Sequence, residues 1–336
     1  DNISSVKFTL MEPKNSKSYR HVYFTCFLAL YIMILFLNIW LCVVIALERA
    51  LHEPMYIFLC NLCINGIYRA MGFYPKFLHD LILDSYVIPP YMSSGFYPIF
   101  LSNLLLDSYV ISSHVCALQS FVIYSSLITE ITILTVMAYD RYVAICRPLD
   151  YHSKLTKNTC LKLILLSWII PNCYTVPAAL LSNLRTFCKY HIDKLYCDNW
   201  SVVKLSCASN FVNTLYGYFL IVTFVSHLVV IIVSYIKLIT ACKASLENKK
   251  KFWQTCLPHL LSLINFSFAL LFDVMYSRYG ANDIPESLRN FLALELIIVP
   301  PVVNPLIYGL NIKAVRKRAF PSRPMSKVNV YSSKKL

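Results

Sequence analysis

The sequence predicts an all-α membrane protein, a bundle of seven transmembrane helices with its N-terminus outside and its C-terminus inside. Three observations predict it. Of the 336 residues, 57% are hydrophobic and only 14% are charged, where a soluble domain carries about 25% charge. The apolar residues gather into seven blocks, each near the ~20 residues that a helix needs to cross a bilayer. Lysines and arginines stand at the edges of those blocks, with more on one side than on the other.

In chain order, residues 1–21 form a polar tail. It holds Asn2-Ile3-Ser4, a glycosylation acceptor if this end enters the secretory lumen. The first apolar run is already of span length, so no cleavable signal peptide is expected. Spans are predicted over residues 22–47, 54–76, 116–142, 160–181, 211–239, 252–276 and 291–310. The transmembrane domain is therefore 22–310, followed by a cytoplasmic tail over 311–336. The start of that tail, Asn311 to Phe320, reads as a short amphipathic helix on the membrane. Seven spans put the two ends on opposite sides. With the C-terminus inside, the inner loops and tail hold 18 Lys+Arg and the outer segments 11, which satisfies the positive-inside rule. This topology also accounts for the net charge of +14, and no nucleic-acid partner is expected.

The composition excludes several classes. Six glycines leave little for a Gly-rich cofactor loop, and no Cys/His cluster has zinc spacing. No cofactor, no metal and no enzymatic activity are expected. Thirteen cysteines fall into two groups. Cys26, Cys42, Cys60, Cys63 and Cys173 lie in apolar blocks and read as small buried hydrophobes. Those in polar loops can form disulfides if the loops face an oxidising compartment.

Between the second and third spans a segment repeats at an offset of 23 residues. Phe73-Tyr74-Pro75-Lys76-Phe77-Leu78 recurs as Phe96-Tyr97-Pro98-Ile99-Phe100-Leu101, and Leu83-Asp84-Ser85-Tyr86-Val87-Ile88 as Leu106-Asp107-Ser108-Tyr109-Val110-Ile111. One tandem copy is no solenoid, which needs at least three repeats. A local duplication within 73–111 that lengthens the first outer loop and a gene-model error both account for it. An extra membrane hairpin is disfavoured by Asp84, Asp107 and the Pro89-Pro90 break.

The inner end of the third span reads Met137-Ala138-Tyr139-Asp140-Arg141-Tyr142-Val143-Ala144-Ile145-Cys146. Four further strings follow the same order of spans: His52-Glu53-Pro54-Met55-Tyr56, Ser234-Tyr235, Thr255-Cys256-Leu257-Pro258-His259-Leu260, and Pro301-Val302-Val303-Asn304-Pro305-Leu306-Ile307-Tyr308. In these strings the chain resembles the rhodopsin-like G-protein-coupled receptors, specifically the odorant receptors, and Phe73-Tyr74-Pro75 is similar to fish members. The resemblance covers nearly the whole chain. It implies a multi-pass plasma-membrane protein that binds a small-molecule odorant in the outer bundle. It also implies activation of a heterotrimeric G-protein, of the stimulatory olfactory type, at the inner face. The residues it implies for coupling and switching are Asp140, Arg141, Tyr142, Tyr235, Asn304, Pro305 and Tyr308. The disulfides it implies are Cys116–Cys197 and Cys188–Cys207, a pairing that chain spacing alone does not choose.

Physical chemistry gives these residues roles. A lone arginine at the membrane face is costly unless paired or hydrated, so Asp140 and Arg141 neutralise one another at rest. Pro305 removes a backbone hydrogen bond and permits a kink, with Asn304 and Tyr308 beside it, and such a helix can hold two packings. Glu130 lies ten residues before Asp140 on the same helix, about 15 Å deeper, and an intramembrane carboxylate reads as functional by default. In many related receptors a sodium ion sits at this level, where Asn38, Asn65 and Asn304 could contribute. The usual second-span acid aligns with Gly66 and is absent. Two readings stay open: Arg69 pairs with Glu130 and replaces the cation, or burial keeps Glu130 protonated.

Depth alone nominates a ligand pocket at Phe121, Tyr124, Ser125, Tyr216, Phe268, Phe272 and Glu295; for the aromatics, ordinary packing or lipid contact explains the positions equally well. Glu295 needs a partner and suits an amine-bearing ligand. Asn199-Trp200-Ser201 is a second sequon, and Asn265-Phe266-Ser267, inside a span, is inert. Lys249-Lys250-Lys251, Lys313 and Arg316-Lys317-Arg318 suit anionic lipid headgroups. A transporter would want broken helices with charge along a continuous path, and these charges are isolated. A non-functional or misannotated product remains open because of the repeat.

Overall fold

The computed structural model describes residues 6–11, 16–71, 110–207, 211–242, 246–279 and 286–311. Asn2, the repeat up to Tyr109 and the tail from residue 312 lie outside the described residues.

In lipid the backbone must satisfy its own polar groups, so the apolar blocks become helices. Seven long ones are described: α1 (Ser16–Leu47), α2 (Pro54–Met71), α3 (Ser113–Cys146), α4 (Lys157–Asn183), α5 (Phe211–Cys242), α6 (Leu246–Tyr279) and α7 (Glu286–Asn311). Two begin on caps that absorb a free helical N–H. Ser112 Oγ accepts from Val115 N at 3.4 Å for α3, and Thr156 Oγ1 accepts from Thr159 N at 3.3 Å for α4. Stretches of α1, α3, α4 and α5 are long and apolar enough to cross a membrane. The apolar stretches of α6 and α7 are shorter, at Leu260–Tyr276 and Leu294–Gly309. α2 carries Asn61, Asn65 and Arg69. The polar interruptions face the interior, where Asn38, Asn65, Arg69, Glu130 and Asn304 are all buried. Ile32, Phe36, Leu165, Val222, Ile236 and Phe268 are exposed, as lipid-facing side chains are. α3 is the axis of the bundle, packed against α2, α4, α5 and α6, while α7 packs against α6, α1 and α2.

α7 contains Pro300, Pro301 and Pro305. Each proline lacks an N–H and deprives the carbonyl four residues earlier of its helical donor. Other helices supply two of the missing donors. Asn38 Nδ2 on α1 donates to Pro301 O, the carbonyl freed by Pro305, at 2.8 Å, and also to Ile34 O at 2.8 Å. Arg69 Nη1 on α2 donates to Leu296 O, freed by Pro300, at 3.3 Å.

The end of the bundle where α3 begins carries a small sheet. β1 (Lys7–Leu10) pairs antiparallel with β2 (Val110–Ser112) in the register Phe8↔Ile111, and parallel with β3 (His191–Ile192) in the register Leu10↔Ile192. The expected polar tail over 1–21 is thus partly a structural element, and α1 begins at Ser16 rather than 22. Lys-Phe-Thr-Leu alternates with period two: Phe8 and Leu10 turn inward, and Phe8 meets Phe187 edge-on at 5.0 Å between ring centroids. Cys116–Cys197 and Cys188–Cys207 are both bonded, with Cα atoms 5.3 Å and 5.0 Å apart. The first bridge ties the loop between α4 and α5 to the start of α3.

Phe8 is 1% exposed and links strand, loop and disulfide in one apolar cluster. Phe8→Ala is expected to cost about 3–5 kcal/mol, measured as a fall in the melting midpoint of the detergent-purified chain. A midpoint equal to wild type would mean that the strand is not docked.

Candidate functional site

Two polar sites and one cavity are spread along α3. At its C-terminal end Asp140 and Arg141 are both buried and bonded to each other. Arg141 Nε donates to Asp140 Oδ2 at 2.8 Å, and Nη2 donates to the same oxygen. Tyr151 OH donates to the other oxygen at 3.0 Å. Both carboxylate oxygens are thus occupied. Tyr142 lies beneath the Lys237 ammonium, 5.8 Å from its ring centroid. Tyr235 on α5 and Tyr308 on α7 are buried, as is Pro305 on α7.

The second site is the middle of the bundle. Arg69 Nη2 donates to Glu130 Oε2, and the guanidinium is wholly buried. Arg69 Nε donates to Ser126 Oγ at 2.9 Å and Nη2 to Ser126 O at 3.4 Å. The other Glu130 oxygen accepts from Asn304 Nδ2 at 2.9 Å, and Asn304 Oδ1 accepts from Ser262 Oγ. One chain of bonds therefore joins α2, α3, α7 and α6. Of the three asparagines nominated beside Glu130, only Asn304 reaches it. Asn38 is occupied with the carbonyls of α7 and α1, and Asn65 Nδ2 donates to Ser126 O at 2.9 Å.

The third site lies beneath the disulfide-tethered loop. A cavity of about 100 Å³ opens between α3, α4, α5 and α6, several times the space a single water needs. Its wall is mostly apolar, with Phe121, Tyr124, Leu270 and Val274 among the lining residues and Asn199 and Trp200 over it. Arg278 is its charged residue, with its guanidinium 4.3 Å from the Trp200 ring centroid and 5.5 Å from that of Tyr218, a cation–π arrangement. Gly217 makes room for it, since a Cβ there would lie 1.8 Å from Arg278 Nη2. Asn199 lines the cavity, so its sequon does not offer a free surface asparagine.

Phe121 and Tyr124 are the two depth-nominated residues that line this cavity. The other five point elsewhere, because depth fixes a level on a helix and not a face. Ser125 is buried against α2, where Tyr68 OH lies 3.0 Å away. Tyr216 OH donates to Tyr174 O at 2.8 Å. Phe268 is 65% exposed on the lipid face. Phe272 stacks on Tyr276 at 5.8 Å. Glu295 is half-buried off the cavity, with Oε2 lacking a hydrogen-bond partner among the described residues.

A buried ion cluster beside the cavity went unread in the sequence. Lys194 Nζ from the loop donates to Asp273 Oδ1 on α6 at 2.9 Å and stands 3.7 Å from Asp198 Oδ1. All three side chains are buried. Burial works to lower the ammonium's pKa, but Asp198 and Asp273 outweigh it and hold Lys194 above the ordinary lysine value. Asp273, an acid within an apolar block, was the available signal. The loop is also held by Gln119 Oε1, which accepts from Cys197 N at 2.8 Å.

Comparison with known proteins gives one answer. A family model described as olfactory receptor matches residues 87–321. Olfactory receptor 5M3 of Homo sapiens is 31% identical over 315 residues, covering 93% of this chain and 94% of the relative. Olfactory receptor 5I1 of Homo sapiens is 33% identical over 302 residues, 89% and 88% of the two chains. Olfactory receptor 52J3 of Homo sapiens is 30% identical over 295 residues, 87% of each.

Lys194→Met leaves two carboxylates buried without their cation, which is expected to cost about 3–5 kcal/mol, read as a lower melting midpoint. Because the folded state raises the Lys194 pKa, its contribution is complete below the ordinary value of 10.5 and is lost only as pH rises through the higher folded value. The gap between variant and wild type should hold constant through neutral pH and narrow in strong alkali. Acid that protonates the two carboxylates removes their need of a cation and narrows the gap as well, so the result that would contradict the assignment is a variant as stable as wild type at neutral pH.

Proposed function

Because the chain belongs to the olfactory receptor family, whose members are multi-pass plasma-membrane receptors and not enzymes, we propose that it binds a small odorant in the cavity beneath the disulfide-tethered loop. In this reading the disulfide end faces outward and the Arg141 end faces the cytoplasm. A heterotrimeric G-protein, of the stimulatory olfactory type, docks there. The observation that carries the reading is the layout of α3: Phe121 and Tyr124 line the cavity, and the same helix ends in the closed Asp140–Arg141 pair.

The mechanism follows from what each end would gain. An apolar ligand is favoured in the cavity by removal of its surface from water, and it biases the bundle only if it binds one packing better than the other. At the far end Asp140 holds Arg141 through Nε and Nη2, which keeps the guanidinium turned to its neighbour and away from a G-protein. Activation then separates that pair and lets the guanidinium find new acceptors. α7, weakened at three prolines, and α6, joined to it through Ser262 and Asn304, are the elements that can shift. The basic residues Lys249 to Lys251 and Arg316 to Arg318 meet anionic lipid headgroups on that face, and a glycan at Asn2 sits on the other. Family membership removes the support for a transporter. It also leaves the non-functional product without an observation in its favour beyond the repeat.

The test is a cAMP assay in cells expressing the chain with an olfactory stimulatory G-protein, using a panel of water-soluble odorants. Arg141→Ala is expected to abolish the response at unchanged surface level. Val274→Trp fills the cavity and is expected to abolish the odorant response while leaving basal cAMP as in wild type. A full response from Arg141→Ala overturns the coupling role, and a full response from Val274→Trp moves the ligand out of this cavity.

A further inference from the structure

We propose that Arg69 is a built-in counter-ion: its guanidinium takes the place beside Glu130 that a free sodium ion holds in related receptors, so the core of this bundle binds no sodium. The inference stands on the core alone and holds whether or not the odorant reading does.

The donor set does not fit a sodium ion. A hard cation wants several oxygen ligands around it. Here Glu130 is met by nitrogen donors on both oxygens, Arg69 Nη2 on one and Asn304 Nδ2 on the other at 2.9 Å. The Ser126 hydroxyl already faces Arg69 Nε at 2.9 Å. A second positive charge would sit against a wholly buried guanidinium, where repulsion is poorly screened. The position of the usual second-span acid is also tight. A Cβ on Gly66 would lie 3.2 Å from Asn38 Oδ1 and 3.5 Å from Pro301 Cβ. A side chain there presses on Asn38, which covers the carbonyl that Pro305 leaves without a donor.

Arg69 also does what a monatomic ion cannot. Its planar fork spreads donors over three targets: the Glu130 carboxylate on α3, the Ser126 hydroxyl and carbonyl on α3, and Leu296 O on α7. A bound ion can leave when the bundle repacks. A tethered one remains, so the charge of Glu130 is balanced in every state of the bundle.

The experiment measures the melting midpoint of the detergent-purified full chain in sodium chloride and in choline chloride at equal ionic strength. Wild type should melt alike in both. Arg69→Ala opens space beside Glu130. It should melt several degrees lower in choline and recover with sodium in a saturable way. Arg69→Ala combined with Glu130→Gln removes the charge that needs balancing. It should melt above the single variant in choline and show no sodium response. The proposal is overturned if sodium raises the wild-type midpoint, or if Arg69→Ala melts as wild type in choline. It is also overturned if the double variant is no more stable there than the single one. Should the single variant yield no folded protein in either salt, recovery of folding in the double variant supports the proposal, and continued failure rejects it.

Discussion

A carboxylate buried at the centre of an apolar bundle constrains everything around it. Glu130 is 2% exposed, and a charge in that position is tolerated only when it is paired and hydrogen-bonded. Its partners come from α2 and α7, and through Asn304 from α6. The hydrophobic effect does not drive helices together in lipid, where tails are as apolar as leucine. Polar bonds therefore decide which helices meet and in what register. Arg69 and Asn304 fix α2 and α7 against α3 by hydrogen bonds that a one-residue slip would break.

The same logic explains why α7 tolerates three prolines. Each one leaves a carbonyl that lipid cannot satisfy, at a cost of about 1–3 kcal/mol when buried and unpaired. Asn38 and Arg69 cover two of these carbonyls, and each bond ties α7 to another helix. The weak points of α7 are thus also its points of attachment. Gly66 belongs to this arrangement, since its missing side chain leaves Asn38 in reach of Pro301. In this packing the weak points around Pro305 and Pro300 are bridged by α1 and α2, so α7 shifts only when those bonds exchange.

The helical architecture was legible because lipid imposes length and composition on each span, and the blocks can be read directly. The Asp140–Arg141 pair was legible because adjacent charges at a membrane face have few alternatives. The meeting of Arg69 and Glu130 was one of two open readings, since burial could equally have protonated the acid; geometry brings the two side chains together. The disulfides came from family strings, not from spacing. Less legible was what depends on contact between distant segments. β1 is four residues long and pairs with strands more than a hundred residues away, so no local periodicity announced its partners. Lys194 looked like one more loop lysine until Asp273 was placed above the cavity. The pocket residues were chosen by level alone, and the rotation of each helix, which decides between cavity and lipid, is set by packing that sequence depth does not contain.

α3 links these sites by its own rigidity. Tyr124, Glu130 and Arg141 are separated by about 9 Å and then about 16 Å along one helix at the usual rise. The cavity wall, the core and the Arg141 end are thus parts of one continuous helix. α3 is also buried on most sides along its length, which makes it the least free of the seven to move. A signal that crosses the bundle must then pass by the neighbours sliding on α3. α6 carries bonds at two levels: Asp273 to the loop lysine Lys194, and Ser262 to Asn304 in the core. The Lys194–Asp273 contact ties α6 to the disulfide-tethered loop, and the Ser262–Asn304 contact ties the same helix to α7.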